Sequence, residues 1–208
     1  MSEGFDLVRF TGAEPLREAQ VAANDAIDAG RLAQMQWITD RWVERASDPG
    51  RFLEGAQTVV LLAIPGHAPD PPRQGPRARG RIARYARGRD YHHIFEAKLR
   101  RIARSIRSEF NADARATVDY GPLLERPLAA QAGLGWLGKS TMLLAPGFGP
   151  WVLLGAIVTT ITIEPDQPIR KSCGGCTRCI VACPTGAIAP TGGVLDSRLC
   201  ISYHTIES

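Results

Sequence analysis

Four of the chain's five cysteines fall within the eleven positions 173–183, in the stretch CGGCTRCIVACP. The spacing is C-x2-C-x2-C-x3-C-P. Three thiolates at this pitch, Cys173, Cys176 and Cys179, can wrap one face of an iron–sulfur cube, while the following turn aims Cys183 elsewhere. In two-cluster ferredoxins that fourth cysteine ligates the other cluster. Gly174 and Gly175 let backbone N–H groups approach inorganic sulfide, and Pro184 ends the loop. Zinc is the competing metal, but four-cysteine zinc sites use two C-x2-C pairs separated by a longer spacer. Four unliganded cysteines at this density would be unusual. The motif is read as an iron–sulfur site.

The cysteine count then sets a constraint. One cube takes four cysteine ligands and two take about eight, whereas the chain has five, the fifth being Cys200. Either a single cluster uses all four clustered cysteines, or the chain is a fragment. The ending CISYHTIES, without a closing element, favours the fragment.

Other residues carry weaker signals. The letters GLGWLGKS, from Gly133 to Ser140, satisfy the phosphate-loop pattern Gly-x4-Gly-Lys-Ser/Thr. That pattern needs a strand leading into it, and residues 127–132 read as helix, so nucleotide binding is a minor alternative to turn chemistry. Asp119 precedes Tyr120-Gly121-Pro122, where capping a turn is a common task for Asp. His92 and His93 are adjacent, and on a helix they point to different faces; they read as helix-surface or substrate-contact residues. Trp136 and Trp151 read as core or interface.

Charge is uneven. Residues 73–107 hold 12 of the 25 Lys and Arg against two acids, Asp90 and Glu96, while the remainder carries 13 basic and 19 acidic residues. A basic segment on an acidic body points to a polyanion, nucleic acid before membrane; a solvated arginine-rich helix face is the plainer alternative. No apolar run approaches the roughly 18 residues of a membrane span. The N-terminus MSEGFDLVRF is not a secretory signal, and clustered thiols outside the export route favour metal ligation in a reducing cytoplasm.

Several elements must position these groups. A helix is predicted from Glu14 to Gly30 and another near Gln34–Arg45. Gln57–Ile64, QTVVLLAI, reads as a buried strand closed by Pro65-Gly66. The segment 68–80, with four prolines and two glycines, reads as a loop. Asp90 can cap a helix whose apolar stripe is Phe95, Leu99, Ile102, Ile106 and Phe110. A strand over Ala116–Asp119, a short helix over Leu124–Ala132 and a β-rich run over Trp151–Ile163 follow. After Pro165 the composition turns to Pro, Cys and Gly. The fold expected is an α+β (α/β-like) body over 1–165 and a partial ferredoxin-like iron–sulfur module over 166–208.

Read together, YARGRDYHH (85–93), VDYGPLLER (118–126), AGLGWLGKST (132–141), GPWVLLGAIVT (149–159), the cysteine motif and LDSRLCISYHTIE (195–207) resemble the cobalamin-dependent epoxyqueuosine reductases. Residues 1–84 match only loosely, around Met35–Trp37. The resemblance implies base-off cobalamin beside two 4Fe–4S clusters in the full-length pattern, and an electron donor such as a flavodoxin or ferredoxin. The reaction implied is reduction of epoxyqueuosine in the anticodon region of tRNA to queuosine. It also implies that Asp119 is the proton donor, that Arg126, Gly138, Lys139, Ser140 and Thr141 contact the cofactor, and that Cys173, Cys176, Cys179, Cys183 and Cys200 ligate iron. Such an acid must stay protonated near pH 7, which asks for burial or a neighbouring cofactor to raise a pKa of about 3.9. Arg77, Arg79, Arg81, Arg84, Arg87 and Arg89 then become candidate tRNA contacts. Ala156 stands where the family commonly shows an acidic residue, and members usually continue past this point with a second cysteine motif.

A ferredoxin-like electron carrier and a reductive dehalogenase-like cobalamin enzyme are the competing readings. The large cysteine-free region weighs against the first, and the basic stretch against the second. Iron and sulfide quantification after anaerobic reconstitution should give well under the roughly eight irons of a two-cluster chain; eight per isolated chain would contradict the count of ligands.

Overall fold

The structure is a computed structural model, and it describes residues 3–67 and 82–207. In chain order the elements are β1 (Leu7–Gly12), α1 (Arg17–Asp28), α2 (Asp40–Ala46), α3 (Pro49–Phe52), β2 (Thr58–Pro65), α4 (Tyr91–Phe110), β3 (Ala114–Thr117), α5 (Glu125–Gln131), β4 (Trp136–Leu137), β5 (Leu143–Leu144), β6 (Val152–Thr159), α6 (Arg178–Ala182) and α7 (Ile201–Ile206). Four strands form one sheet in the order β1-β2-β6-β3, antiparallel throughout, and β4 with β5 makes a separate hairpin. The architecture is α+β.

The uniform apolarity of QTVVLLAI has a direct cause. Val60 and Leu62 face one apolar cluster, where α4 supplies Phe95, Leu99 and Ala103. Val59, Leu61 and Ala63 face the other, where α5 supplies Leu128 and Ala129, the turn after it Leu134, and β5 Leu143. Side chains alternate across a strand, so a sheet covered on both faces shows no polar alternation. Ala156, fully buried in β6, pairs with Leu61 on one side and Thr117 on the other. An acid at this position would lie within the second cluster.

α4 begins where Asp90 Oδ1 accepts the His92 N–H at 2.9 Å, as its sequence predicts. It ends at Asn111, whose φ of +49° stops the helix. Phe95 and Leu99 are buried, but Phe110 is 65% exposed, because the last turn of α4 runs past the packed part of the sheet. The helix predicted over Gln34–Arg45 begins only at Asp40. Thr39 Oγ1 caps it by accepting the Trp42 N–H at 3.2 Å, and Gly30 and Ala33, at φ +62° and +53°, break the chain before it. The strand predicted over Ala116–Asp119 ends at Thr117. β1 carried no clear sequence pattern and forms as an outer strand on β2. The loop predicted over 68–80 lies outside the described residues.

Beyond β6 the chain joins the body through polar contacts. Phe10 N–H donates to Asp166 Oδ2 at 2.8 Å, and Asp166 N–H returns a bond to Phe10 O at 2.9 Å. Ser197 N–H donates to Arg31 O at 2.8 Å, and Gln34 N–H to the Tyr203 hydroxyl at 3.0 Å. Among the described residues, no helix is long and apolar enough to cross a membrane.

α4 meets β6 at Gly155. A Cβ there would stand 2.7 Å from Leu99 Cδ1 and 3.1 Å from Phe95 Cζ. Gly155→Ala should therefore destabilise by about 1–3 kcal/mol, read as a lowered urea midpoint; an unchanged midpoint would show that the helix seat has slack.

Candidate active site

β3 gives way at once to a turn. Asp119 has φ +53°, a left-handed conformation that Asp tolerates better than most residues. Its N–H donates to Glu125 Oε1 at 3.0 Å, tying the turn to the first residue of α5. Its Oδ2 accepts a bond from the Tyr91 hydroxyl at 3.1 Å and lies 3.1 Å from His92 Nε2. His92 Nδ1 in turn lies 2.7 Å from Asp90 Oδ1. A polar line Asp90–His92–Asp119 thus runs from the start of α4 to the turn. The Tyr91 ring stacks on His92 with centroids 4.0 Å apart.

The environment divides these groups electrostatically. Burial pulls the His92 pKa down, but the bonds to Asp119 and Asp90 outweigh it, and the net shift is upward. The imidazolium is favoured and donates at both nitrogens. Burial first, and Asp119 second, hold Tyr91 well above its ordinary range, so it stays a phenol donor. Burial pushes Glu125 up to about 8, against the opposing pull of the Asp119 N–H. Of the two environments that could raise Asp119, burial or a neighbouring cofactor, the protein itself does not supply burial: the side chain is 63% exposed. The turn lays it across the N-terminus of α4 at the surface, and the carboxyl that burial raises is its neighbour Glu125.

The hairpin β4–β5 carries the glycine-rich stretch. Gly135 packs against the chain's own backbone, where a Cβ would stand 2.5 Å from Leu144 O. Gly133, at φ +73°, packs in the same way against Gln167 O. A strand follows the lysine where a phosphate loop would have a helix, so the nucleotide-binding alternative loses its structural context. At the tip, Thr141 has φ +65°, and its carbonyl accepts from Arg126 Nη1 at 2.9 Å. Lys139 faces the cysteine loop: its N–H donates to Cys173 Sγ at 3.4 Å and its Nζ to Gly174 O at 2.8 Å. Trp136 Nε1 is buried with no partner among the described residues.

Cys173, Cys176 and Cys179 lie on the loop entering α6 and on its first turn, and Gly174 takes φ +49°. Cys179, Cys183 and Cys200 line a cavity of about 260 Å³. Cys183 is lowered to about 7, chiefly by the Thr185 hydroxyl and then by backbone N–H groups of Ile188, Thr185 and Ala187. This environment favours the thiolate, the form that binds metal. Among the described residues, no three His, Cys, Asp or Glu side chains converge on a single ion. Arg77, Arg79 and Arg81 lie outside the described residues. Arg84 sits over the Trp151 ring at 4.8 Å, and Arg87 Nε donates to Ile82 O at 3.1 Å.

Known proteins resemble the chain in sequence and in fold. The family model "Epoxyqueuosine reductase QueG, DUF1730" matches residues 46–120, and "4Fe-4S double cluster binding domain" matches residues 172–208. The epoxyqueuosine reductase of Synechococcus sp. strain RCC307 is 41% identical over 181 residues, which is 86% of this chain and 54% of that protein. The chain belongs to the epoxyqueuosine reductase family. The structure of epoxyqueuosine reductase from Streptococcus thermophilus superposes with a TM-score of 0.89 at 30% identity, covering 99% of this chain and 55% of that one. A crystal structure of an epoxyqueuosine reductase with an epoxyqueuosine-modified tRNA-Tyr stem loop superposes at 0.87 and 32% identity, covering 97% and 53%. The chain thus spans about half the length of these relatives. A catabolic reductive dehalogenase is more distant, at a TM-score of 0.50 and 21% identity, and shares the fold alone.

The structure brings Asp119 together with Tyr91, His92 and Glu125, of which the sequence drew attention only to the histidine, as a surface or contact residue. Glu125 lies six positions after Asp119, a spacing that could have signalled closure of one turn. The unfolded chain releases the Glu125 proton near its ordinary 4.5, whereas the folded chain keeps it to about 8, so stability falls as pH rises across that window. Glu125→Gln keeps an acceptor for the Asp119 N–H and should flatten this slope, adding roughly 1–3 kcal/mol at pH 8. Denaturant unfolding at pH 5 and pH 8 checks it, and an identical pH slope in both proteins would refute it.

Proposed function

We propose that the chain carries the reductive core of an epoxyqueuosine reductase acting on tRNA in the cytoplasm, with a body over 1–165 and a cluster module over 166–208. The observation that carries this reading is the grip on Asp119, whose carboxylate meets both the Tyr91 hydroxyl and His92 Nε2 at 3.1 Å. Removing an epoxide oxygen breaks both C–O bonds, forms a C=C bond, consumes two electrons and two protons, and releases water. Asp119 relays to the departing oxygen a proton that it takes from the His92 imidazolium across the 3.1 Å contact, and the second proton comes from solvent. The Tyr91 hydroxyl fixes the carboxylate's orientation, and Asp90 holds the far side of the imidazole.

The electrons come from outside the chain, from a donor of the flavodoxin or ferredoxin class. When bound, the 4Fe–4S clusters and cobalamin supply low-potential electron storage and a nucleophilic metal. Cys173, Cys176, Cys179, Cys183 and Cys200 would hold the iron. Their fit is supported by the N–H and hydroxyl donors around Cys183 and by the Lys139 N–H on Cys173. The fit for a corrinoid rests on the buried, unpartnered Trp136 Nε1, a donor suited to the amide groups on a corrin rim. Arg126 and Gly138 hold in shape the hairpin tip that carries Ser140 and Thr141, through bonds to Thr141 O and Met142 O, while Lys139 ties the tip to the cysteine loop.

A simple electron carrier has no use for a carboxylate held by a tyrosine and a histidine, and the dehalogenase likeness is limited to the fold. The test is anaerobic reconstitution with iron, sulfide and cobalamin, a visible spectrum, and mass spectrometry of epoxyqueuosine-bearing tRNA after reduction. Asn also tolerates the left-handed φ, so Asp119→Asn should keep stability within about 0.5 kcal/mol while turnover falls by about 100-fold or more. Wild-type turnover in that variant would remove Asp119 from the proton path.

A further inference from the structure

We infer that α4 and β3 form a second surface that binds the phosphate backbone of an RNA strand running away from the active site; the identity of the RNA rests on the reductase reading. An open groove of about 630 Å³ lies along these two elements. Its wall is Arg100, Arg101, Arg104 and Arg107 of α4, and its floor is alanine together with the β3 backbone at Arg115; no acidic side chain lines it. Two of the four α4 guanidinium groups are paired at the rim, Arg100 with Glu96 and Arg101 with Glu3, at 2.7 and 2.6 Å. Four arginines against two carboxylates leave a net positive groove.

One donor is pre-positioned: Arg107 Nη1 donates to Ala114 O at 2.6 Å, which uses one of its five N–H donors and leaves the others available. Among the described residues, Arg104 makes no ion pair or side-chain hydrogen bond. Arg100, Arg104 and Arg107 follow helical spacing along one face of α4.

The shape fits a polymer better than a small anion. The groove follows α4 from Ala97 to Arg107, about 15 Å at the helical rise, a length greater than that of any single phosphate group. It also shares its two elements with the site. β3 passes from Ala116 to Asp119 in three residues, and α4 carries Tyr91 and His92 at its other end. A strand whose reacting nucleotide lies at Asp119 would therefore extend along this groove. Arg100, Arg101, Arg104 and Arg107 lie within the basic segment 73–107 but beyond the arginines 77–89 named as candidate tRNA contacts.

The experiment is fluorescence anisotropy with a labelled, unmodified anticodon stem loop and the full chain, from 50 to 300 mM KCl. Arg100→Glu/Arg104→Glu should weaken binding by about tenfold at the lowest salt and reduce the slope of log K against log salt by about 1.5; Arg100→Gln/Arg104→Gln should give a smaller loss. Arg17→Glu on α1 should change neither. Circular dichroism confirms that each variant folds. Unchanged affinity and slope in the folded double variants would overturn the inference and leave the groove to an acidic protein segment. Because the probe lacks the epoxide, loss of binding in the variants supports the groove even if no deoxygenation is ever seen. Conversely, turnover with unaltered stem-loop binding would sink the groove and spare the reductase reading.

Discussion

The seat of α4 on β6 governs the rest of the molecule. Phe95 and Leu99 close over a strand position that has no side chain, Gly155, and Phe5 meets the Phe95 ring at 5.2 Å from the N-terminal segment. Burying two such side chains contributes roughly 1.5–3 kcal/mol each. More important is the rotation and depth they impose. With that face fixed inward, Tyr91 and His92 emerge at the helix start beside the β3–α5 turn, and the arginines emerge along the opposite side. A shift of one side chain's width would separate the Asp119 carboxylate from both its partners, since contacts of 3.1 Å leave little margin.

The cluster-bearing segment is attached differently. Its links to the body are directional hydrogen bonds: the reciprocal pair between Phe10 and Asp166, Ser197 on Arg31, Gln34 on Tyr203, and Lys139 on Cys173 and Gly174. Hydrogen bonds of this kind contribute about 1 kcal/mol each but fix register where apolar contact alone would permit sliding. Several short polar contacts thus set the position of this segment on the body. The tip of the β4–β5 hairpin is the hub: one residue, Lys139, bonds the cysteine loop with both its backbone and its side chain.

The central strand, the long helix, the short helix before the hairpin and the iron–sulfur character of the C-terminal segment were all legible in the sequence. Each rests on local chemistry: a β-branched apolar run, an Asp cap with a helical stripe, and thiolates at cluster spacing. β1 was not legible, since LVRFTG is no more strand-like than many loops and becomes a strand by pairing with β2. The start of α2 was misplaced because Ala33 adopts a left-handed φ that its side chain does not advertise. The glycines of the hairpin looked like a cradle for a ligand, and two of them instead admit the chain's own carbonyls, a long-range packing fact. Asp119 was visible as a residue of interest, but its partners were not. Tyr91 and His92 lie 28 and 27 positions away in sequence, and only the helix seat brings them to it.

Two carboxyls therefore share one turn under opposite conditions. Asp119 is solvent-facing and gripped by two donors, while Glu125 is pushed up to about 8 by burial and receives the Asp119 N–H. A neutral Glu125 places no second negative charge behind Asp119, so the pair escapes the repulsion of two adjacent carboxylates. It also lets the backbone bond that holds the left-handed turn persist without drawing on the charge of the imidazolium. The upward shift of His92 favours a protonated ring that reaches Asp90 through Nδ1 and Asp119 through Nε2. On the proposed path a proton passes from Nε2 to Asp119, and the ring stays anchored at Nδ1 by Asp90, so the line keeps its geometry.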